Sequence, residues 1–293
     1  MTDRDCNHCV AGSGMKSSDS TVTPDDLAAG RSAVENTDLI DYYIAFTQEN
    51  GQLLGSGTLV SIDSTRAILT ADHVLEKLPQ TVGLIFPTRF DNSPQAAPRL
   101  PAIISVDYLE KKRIGRGEQE ADGPDLGILV LPRPIVSQHI PSTKTFYNLS
   151  KRRTRVEETP WPINRGIWAL VGAPGEWTED AVPEAGFARV KKCRGIMGVG
   201  GVDKEYERGG FDYLEFVANY NTGYEGPNRF GGCSGGGLWH MRWSRTERGR
   251  LIIKDTLLSG VAFYQSDCID DKRIIRCHGR KSIYQRVIDS LSG

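Results

Sequence analysis

Short runs of Val, Ile, Leu and Thr recur along this chain, and each breaks off within a few residues at Gly, Pro, Asp or Asn. The first set comprises Tyr42–Phe46, Leu53–Ile62, Ala67–Thr70, Val82–Phe86, Ala102–Val106 and Leu126–Leu131. The second comprises Ile167–Gly172, Phe187–Met197, Tyr213–Ala218, Gly237–Trp243 and Leu251–Tyr264. Branched and aromatic residues suit a pleated, half-buried surface, and frequent turn residues return the chain on itself, so the pattern predicts antiparallel β-structure. Between the sets, Pro132–Asn164 is rich in proline and basic residues with little periodicity, which predicts a connection. At the end, Ile283, Val287, Ile288 and Leu291 recur at helical spacing. The expected division is a flexible tail over 1–36, a first β-barrel over 37–135, a connection over 136–165, a second β-barrel over 166–280 and a helix over 281–293.

Composition narrows the partners. Of 293 residues, 39% are apolar and 25% charged, enough for a packed core, and the formal net charge is −1. Nothing here demands a nucleic acid or an anionic membrane surface. The basic runs Lys111–Arg116 and Lys151–Arg155 read as solvated loops. No apolar stretch nears the roughly 20 residues of a membrane span, and the polar N-terminus lacks a signal-peptide core, so a cytoplasmic location is expected. Such a location keeps most of the six cysteines reduced. Cys6 and Cys9 flank His8 in a CxxC. A zinc site needs about four ligands, and no second CxxC or HxxxH lies nearby. The pair is therefore read as part of the tail, with a shared metal site or a redox pair as the alternatives. Asn148-Leu149-Ser150 matches a glycosylation acceptor, relevant only to a secreted chain.

Three segments carry chemistry. In Phe230-Gly231-Gly232-Cys233-Ser234-Gly235-Gly236-Gly237, glycines crowd a serine on both sides. Without Cβ atoms the backbone turns tightly and approaches a substrate closely, and such a turn aims two N–H groups at one point. The expected donors are the amides of Gly232 and Ser234. In Leu69-Thr70-Ala71-Asp72-His73-Val74 a hydrophobic run ends in a polar turn bearing a histidine, a side chain whose ordinary pKa suits a general base. In Gly123-Pro124-Asp125-Leu126-Gly127-Ile128 an aspartate opens an apolar run, where a partly buried carboxylate needs a donor such as a histidine N–H. Each segment alone has an ordinary structural reading: an incidental serine, a strand-end histidine, an aspartate satisfying a turn.

Together, in the order His, Asp, Ser, they resemble the trypsin/chymotrypsin family of serine proteases. Thr70-Ala71-Asp72-His73 is similar to its Thr-Ala-Ala-His. Asp125-Leu126-Gly127-Ile128-Leu129 is similar to its Asp-Ile-Ala-Leu, and Gly232-Cys233-Ser234-Gly235-Gly236 to its Gly-Asp-Ser-Gly-Gly. Gly55-Ser56-Gly57-Thr58-Leu59-Val60 resembles the strand before the family's histidine, and Ser259–Tyr264 the strand lining its substrate cleft. The resemblance spans about residues 40 to 291. It implies an all-β, chymotrypsin-like fold of two six-stranded antiparallel β-barrels with a C-terminal helix. It also implies a serine endopeptidase, a hydrolase with catalytic His73, Asp125 and Ser234 and an oxyanion hole at Gly232 and Ser234. No metal or organic cofactor is implied. The implied partner is a protein or peptide substrate, and a regulatory partner is left open.

The departures are informative. Asp72 replaces a small residue and either competes for the imidazole or faces solvent. Cys233 stands where zymogen-activated members have an aspartate that pairs with a freed N-terminus, so activation by cleavage is not expected. Val74 replaces a disulfide cysteine, which brings the chain closer to intracellular or bacterial trypsin-like peptidases. The family's pocket floor falls near Asn228 in Gly226-Pro227-Asn228-Arg229, and one wall falls at Phe263-Tyr264-Gln265. Neither offers a carboxylate for a basic substrate side chain, so a neutral or smaller side chain is expected, unless Glu225 swings in. Three rivals remain. One is an α/β-hydrolase elbow, which wants a strand before Ser234 and a helix after it. Another is Cys233 as nucleophile, and the third is a catalytically silent trypsin-like binding module.

Overall fold

The computed structural model describes residues 30, 33–34, 37–88, 101–117, 121–159, 161–181, 190–193, 196–220 and 226–292. Its strands are β1 (Tyr43–Thr47), β2 (Leu53–Ile62), β3 (Thr65–Thr70), β4 (Thr81–Ile85), β5 (Ala102–Ser105), β6 (Glu110–Arg116), β7 (Asp125–Leu131) and β8 (Tyr147–Asn148). They continue as β9 (Ile167–Gly172), β10 (Thr178–Ala181), β11 (Val190–Cys193), β12 (Ile196–Arg208), β13 (Phe211–Asn219), β14 (Gly237–Arg245), β15 (Leu251–Gln265) and β16 (Lys272–His278).

The chain is mostly β and its two halves close differently. The first half is a sheet in the order β5-β4-β1-β2-β3-β7-β6, with β8 running parallel to β2. Among the described residues no pairing joins β5 to β6, so this half is an open half-barrel, where a closed six-stranded barrel was expected. The second half is a closed ring, β12-β13-β16-β15-β14-β9, with antiparallel neighbours. β10 and β11 pair apart from both.

One core crosses the junction of the halves. Ile68 and Leu69 of β3 belong to the same buried cluster as Trp239 of β14 and Leu258 and Val261 of β15. A second cluster fills the ring with Leu170, Leu214, Phe216, Leu238 and Ile275. β1 is buried at every position, which explains why its sequence runs apolar without alternating. Burying one such Phe or Leu contributes roughly 1.5–3 kcal/mol, so the shared core holds sheet and ring in one register around whatever lies between them.

The basic runs are not solvated loops. Lys111–Arg116 lies in β6, an edge strand of the sheet, where exposed cations discourage edge pairing. Lys151–Arg155 lies in the helix Leu149–Glu158, whose first turn is capped by Asn148 Oδ1 accepting from the Lys151 N–H at 2.7 Å. On that helix Arg152 pairs with Asp255 at 3.3 Å, Arg155 pairs with the same carboxylate, and Arg153 reaches Glu157 at 3.3 Å. Arg133–His139 is also helical, so the expected connection is largely ordered structure. Val34 is fully buried, so the packed body begins before residue 37. The remaining expectations for the tail, Cys6 and Cys9 included, fall on residues 1–29, outside the described ones. The C-terminal helix is present as Ser282–Val287, wound as a π-helix, and Ile288–Leu291. Its start is held by Asp212, whose carboxylate accepts the Ser282 N–H at 2.6 Å and the Lys281 N–H at 2.8 Å. Among the described residues no helix is long and apolar enough to cross a membrane.

Candidate active site

Strand pairing brings His73 to Asp125. Thr70, the last residue of β3, sits opposite Gly127 of β7. Because the strands are antiparallel, continuing past Thr70 leads toward residues before Gly127. The short helix Asp72–Lys77 begins there. Asp125 Oδ1 accepts the His73 backbone N–H at 2.9 Å, and Oδ2 lies 2.5 Å from His73 Nδ1. An ionised carboxylate only accepts, so Nδ1 carries the proton and Nε2 keeps a free lone pair. The side chains retain 17% exposure for His73 and 9% for Asp125, so the imidazole is reachable while its partner is shielded.

Asp72 does neither of the things the sequence left open. It is buried and its carboxylate is taken by Arg113, with Nε at 2.6 Å and a terminal nitrogen at 2.5 Å. The register of β6 on β7, Arg113 opposite Gly127, delivers the guanidinium to that point. A forked, charge-assisted pair of this kind is directional as well as strong, so Asp72 is held off the imidazole.

The Ser234 loop is shaped by two successive glycine turns. The Cys233 N–H bonds Phe230 O and the Gly236 N–H bonds Cys233 O, both at 2.8 Å. The third residue of each turn is a glycine at positive φ, Gly232 at +93° and Gly235 at +86°. That is the type II pattern, which only glycine adopts without strain. A Cβ on Gly235 would stand 2.0 Å from both Ser56 O and Thr70 Oγ1. Neighbouring groups then hold the loop. Ser56 Oγ donates to Gly232 O and the Ser56 N–H donates to Ser234 O, each at 2.7 Å. The Gly175 N–H donates to Gly231 O at 2.6 Å, and the Gly235 N–H to Ala262 O at 2.7 Å. Among the described residues the N–H groups of Gly232 and Ser234 have no acceptor, while those of Cys233, Gly235 and Gly236 are used.

The loop lies on the corner that carries His73. A Cβ on Gly55 of β2 would meet Ser234 O at 3.2 Å and Val74 Cγ2, on the residue after His73, at 2.6 Å. His73 and Asp125 are thus bonded to each other, and the Ser234 backbone lies near Val74, the residue after His73. Among the described residues no hydrogen bond joins Ser234 to His73. Cys233 is buried, and burial, with the Glu176 carboxylate second, pushes its thiol above the ordinary range. A buried, protonated thiol is a poor nucleophile. The residues after Ser234 form β14, not a helix, which removes the α/β-hydrolase reading.

A cavity of about 270 Å³ opens beside Ser234, walled by Phe230, Ala262, Phe263, Tyr264, Gln265 and Ile275, with no charged side chain among the described residues that line it. Asn228, expected at its floor, does not line it. Its N–H is bonded to Glu176 Oε1 at 2.6 Å, and its carbonyl to the Tyr220 hydroxyl at 3.1 Å, which turns that stretch outward. Gln265 is fixed in orientation because its Oε1 accepts the Phe230 N–H at 2.7 Å. Glu225 lies outside the described residues. A larger cavity, about 660 Å³, near Leu39, Tyr42 and Lys254 contains none of these groups, so size alone does not locate the chemistry.

Sequence reasoning missed four residues of the site: Ser56, Arg113, Glu176 and His278. Ser56 had a local signal, its place between two glycines, and the others had none. The His278 imidazole accepts the Asp125 backbone N–H at Nε2, 2.8 Å away. Burial pushes its pKa down to about 4, against an opposing pull from Asp125. Among the described residues no group of three His, Cys, Asp or Glu side chains is arranged to hold a metal ion.

No protein-family model matches the chain, and no curated protein matches it. The solved structures that match it include two at low identity. One comes from work on how aromatic interactions drive the coupled folding and binding of the intrinsically disordered Sesbania mosaic virus VPg protein. Its identity is 12% and its TM-score 0.43, over 85% of this chain and 91% of that one. The other is the serine endoprotease from Yersinia pestis, with 14% identity and a TM-score of 0.40, over 92% of this chain and 66% of that one.

Proposed function

We propose that this chain is a serine endopeptidase of chymotrypsin-like architecture in which the open half-barrel and the closed ring are the two barrels. Ser234 Oγ attacks the scissile carbonyl carbon and passes its proton to His73 Nε2. Asp125 holds the Nδ1–H tautomer and stabilises the imidazolium that forms. The N–H groups of Gly232 and Ser234 receive the oxyanion. His73 then protonates the departing amine, and water repeats the sequence on the acyl-enzyme. The observation that carries this reading is the conjunction at one corner. An imidazole is oriented by a carboxylate with its second nitrogen free, and it lies beside a glycine-shaped loop whose two candidate oxyanion donors are unspent. The described residues that line the adjoining cavity are uncharged, which supports a substrate with a neutral side chain before the cut.

A fluorophosphonate probe tests it. The folded protein is expected to be labelled at Ser234. Ser234→Ala is expected to lose labelling and to lower peptidase turnover by roughly 10⁴–10⁶-fold. Cys233→Ala is expected to stay within about tenfold of the parent, as suits a shielded thiol. Absence of labelling in folded protein, or labelling that depends on Cys233 rather than Ser234, overturns the proposal.

A further inference from the structure

His278 is the last residue of β16, in the ring, while Asp125 opens β7, in the sheet; 153 residues separate them. A backbone N–H can only donate, so His278 Nε2 is unprotonated and the ring proton sits on Nδ1. That Nδ1 is buried and has no partner among the described residues. The imidazole is fully buried among aromatic rings, with centroids at 4.8 Å for Phe263, 5.1 Å for Tyr213 and 5.6 Å for Phe211. An orphaned buried N–H is destabilising, and a residue serving only to fill an aromatic cage would carry none. The feature that distinguishes histidine here is the acceptor at Nε2, which satisfies the one backbone donor of the residue whose carboxylate holds His73 at two points.

We propose that His278 is a positioning residue for the acid of the site: it fixes the backbone of Asp125, and through it the direction of the carboxylate that aligns His73. This rests on the peptidase reading given above. It makes the closed ring, which carries the serine, also set the placement of the acid across the junction. Phe263 extends the same linkage to the substrate cavity, since one of its faces meets His278 and the residue also walls that cavity.

Three variants differ only in where an acceptor can stand. His278→Gln places an amide oxygen at about the depth of Nε2. His278→Asn stops short at the depth of Nδ1, and His278→Phe keeps a ring without an acceptor. The measurements are kcat and KM on a peptide substrate per active site, the acylation rate of Ser234 by a fluorophosphonate, the low-field resonance of the His73 Nδ1 proton, and the thermal midpoint. His278→Phe and His278→Asn are expected to lower kcat and acylation by ~10–100-fold, the scale of a misplacement near 1 Å. KM is expected to stay within about twofold, because His278 itself does not line the cavity. His278→Gln is expected to recover most of that loss and the resonance. If His278→Phe does not fold, the Gln and Asn pair carries the comparison. Equal kcat for Gln and Asn, or a folded His278→Phe with the parent acylation rate and an unmoved resonance, overturns the proposal. A parent protein that is not acylated at all overturns the peptidase reading instead, and the resonance then still reports whether His278 governs the Asp125–His73 bond.

Discussion

The two halves of the molecule position their groups by different physics. In the open sheet, placement is by charge. Asp125 holds His73, Arg113 holds Asp72, and Glu76 lies 3.6 Å from Arg113 and 3.2 Å from Arg116. Around Ser234, on the ring, placement is steric and neutral. Missing Cβ atoms and backbone hydrogen bonds shape the Ser234 loop, and the two buried histidines, His240 and His278, are kept uncharged by burial. The corner that carries the imidazole is set by charged pairs, and the glycine loop is set by torsion and backbone hydrogen bonds.

The largest break in this comparison comes from Gly235→Ala. Its φ of +86° is strained for any L side chain, and the new Cβ would overlap Ser56 O and Thr70 Oγ1. Activity is expected to fall by about 10²-fold or more, with an appreciable loss of stability. Parent-level turnover would mean that the glycine does not shape the loop.

Acid separates the halves next. His278 and His240 ordinarily titrate near 6.5, and burial lowers them to about 4 and about 3 in the fold. Their stabilising effect is therefore complete above about pH 6.5. As pH falls toward 4 the unfolded chain takes up these protons first, at a cost on the order of 3 kcal/mol per histidine. Denaturant midpoints from pH 7 to 4.5 are expected to decline, and His278→Gln is expected to flatten the decline by about one proton. A midpoint independent of pH would refute the assignment of neutral histidines to the ring.

Arg113→Met tests the charged half. It strands the Asp72 carboxylate, which is 4% exposed, without its fork. Leaving a buried acceptor unpaired costs about 2–3 kcal/mol, read as a lower thermal midpoint, and activity falls because Asp72 is released beside His73. Arg113→Lys is expected to recover part of this, with a point charge in place of a planar fork. An unchanged midpoint for Arg113→Met would show that the pair is ornamental.

The smallest effect concerns the cavity, whose described lining comes from the ring and its loop. Gln265→Gly is expected to shift kcat/KM toward larger neutral side chains by about tenfold or less, the range for modest changes in a hydrophobic pocket. A peptide library reads this directly. A dominant preference for Lys or Arg in the parent would show that the substrate pocket lies elsewhere.

Much of this was legible from local chemistry. Strand bounds such as Leu53–Ile62 and Ile167–Gly172 follow from branched residues and turn signals within the segment itself. The turns around Ser234 follow from a torsional demand that only glycine meets. β6 escaped because an edge strand can be Lys- and Arg-rich, with no buried face to impose alternation. β16 escaped because its cations interrupt its apolar positions. The order His, Asp, Ser and the residue types around each were determined by the sequence by itself, since rotamers, torsions and side-chain chemistry act over a few residues. Tertiary structure alone decided that Asp72 belongs to Arg113, 41 residues on, that the Asp125 N–H belongs to His278, and that Asn228 turns away from the cavity. Those partnerships depend on strand register and on how the sheet seats against the ring, and a burial free energy shared among dozens of residues sets both.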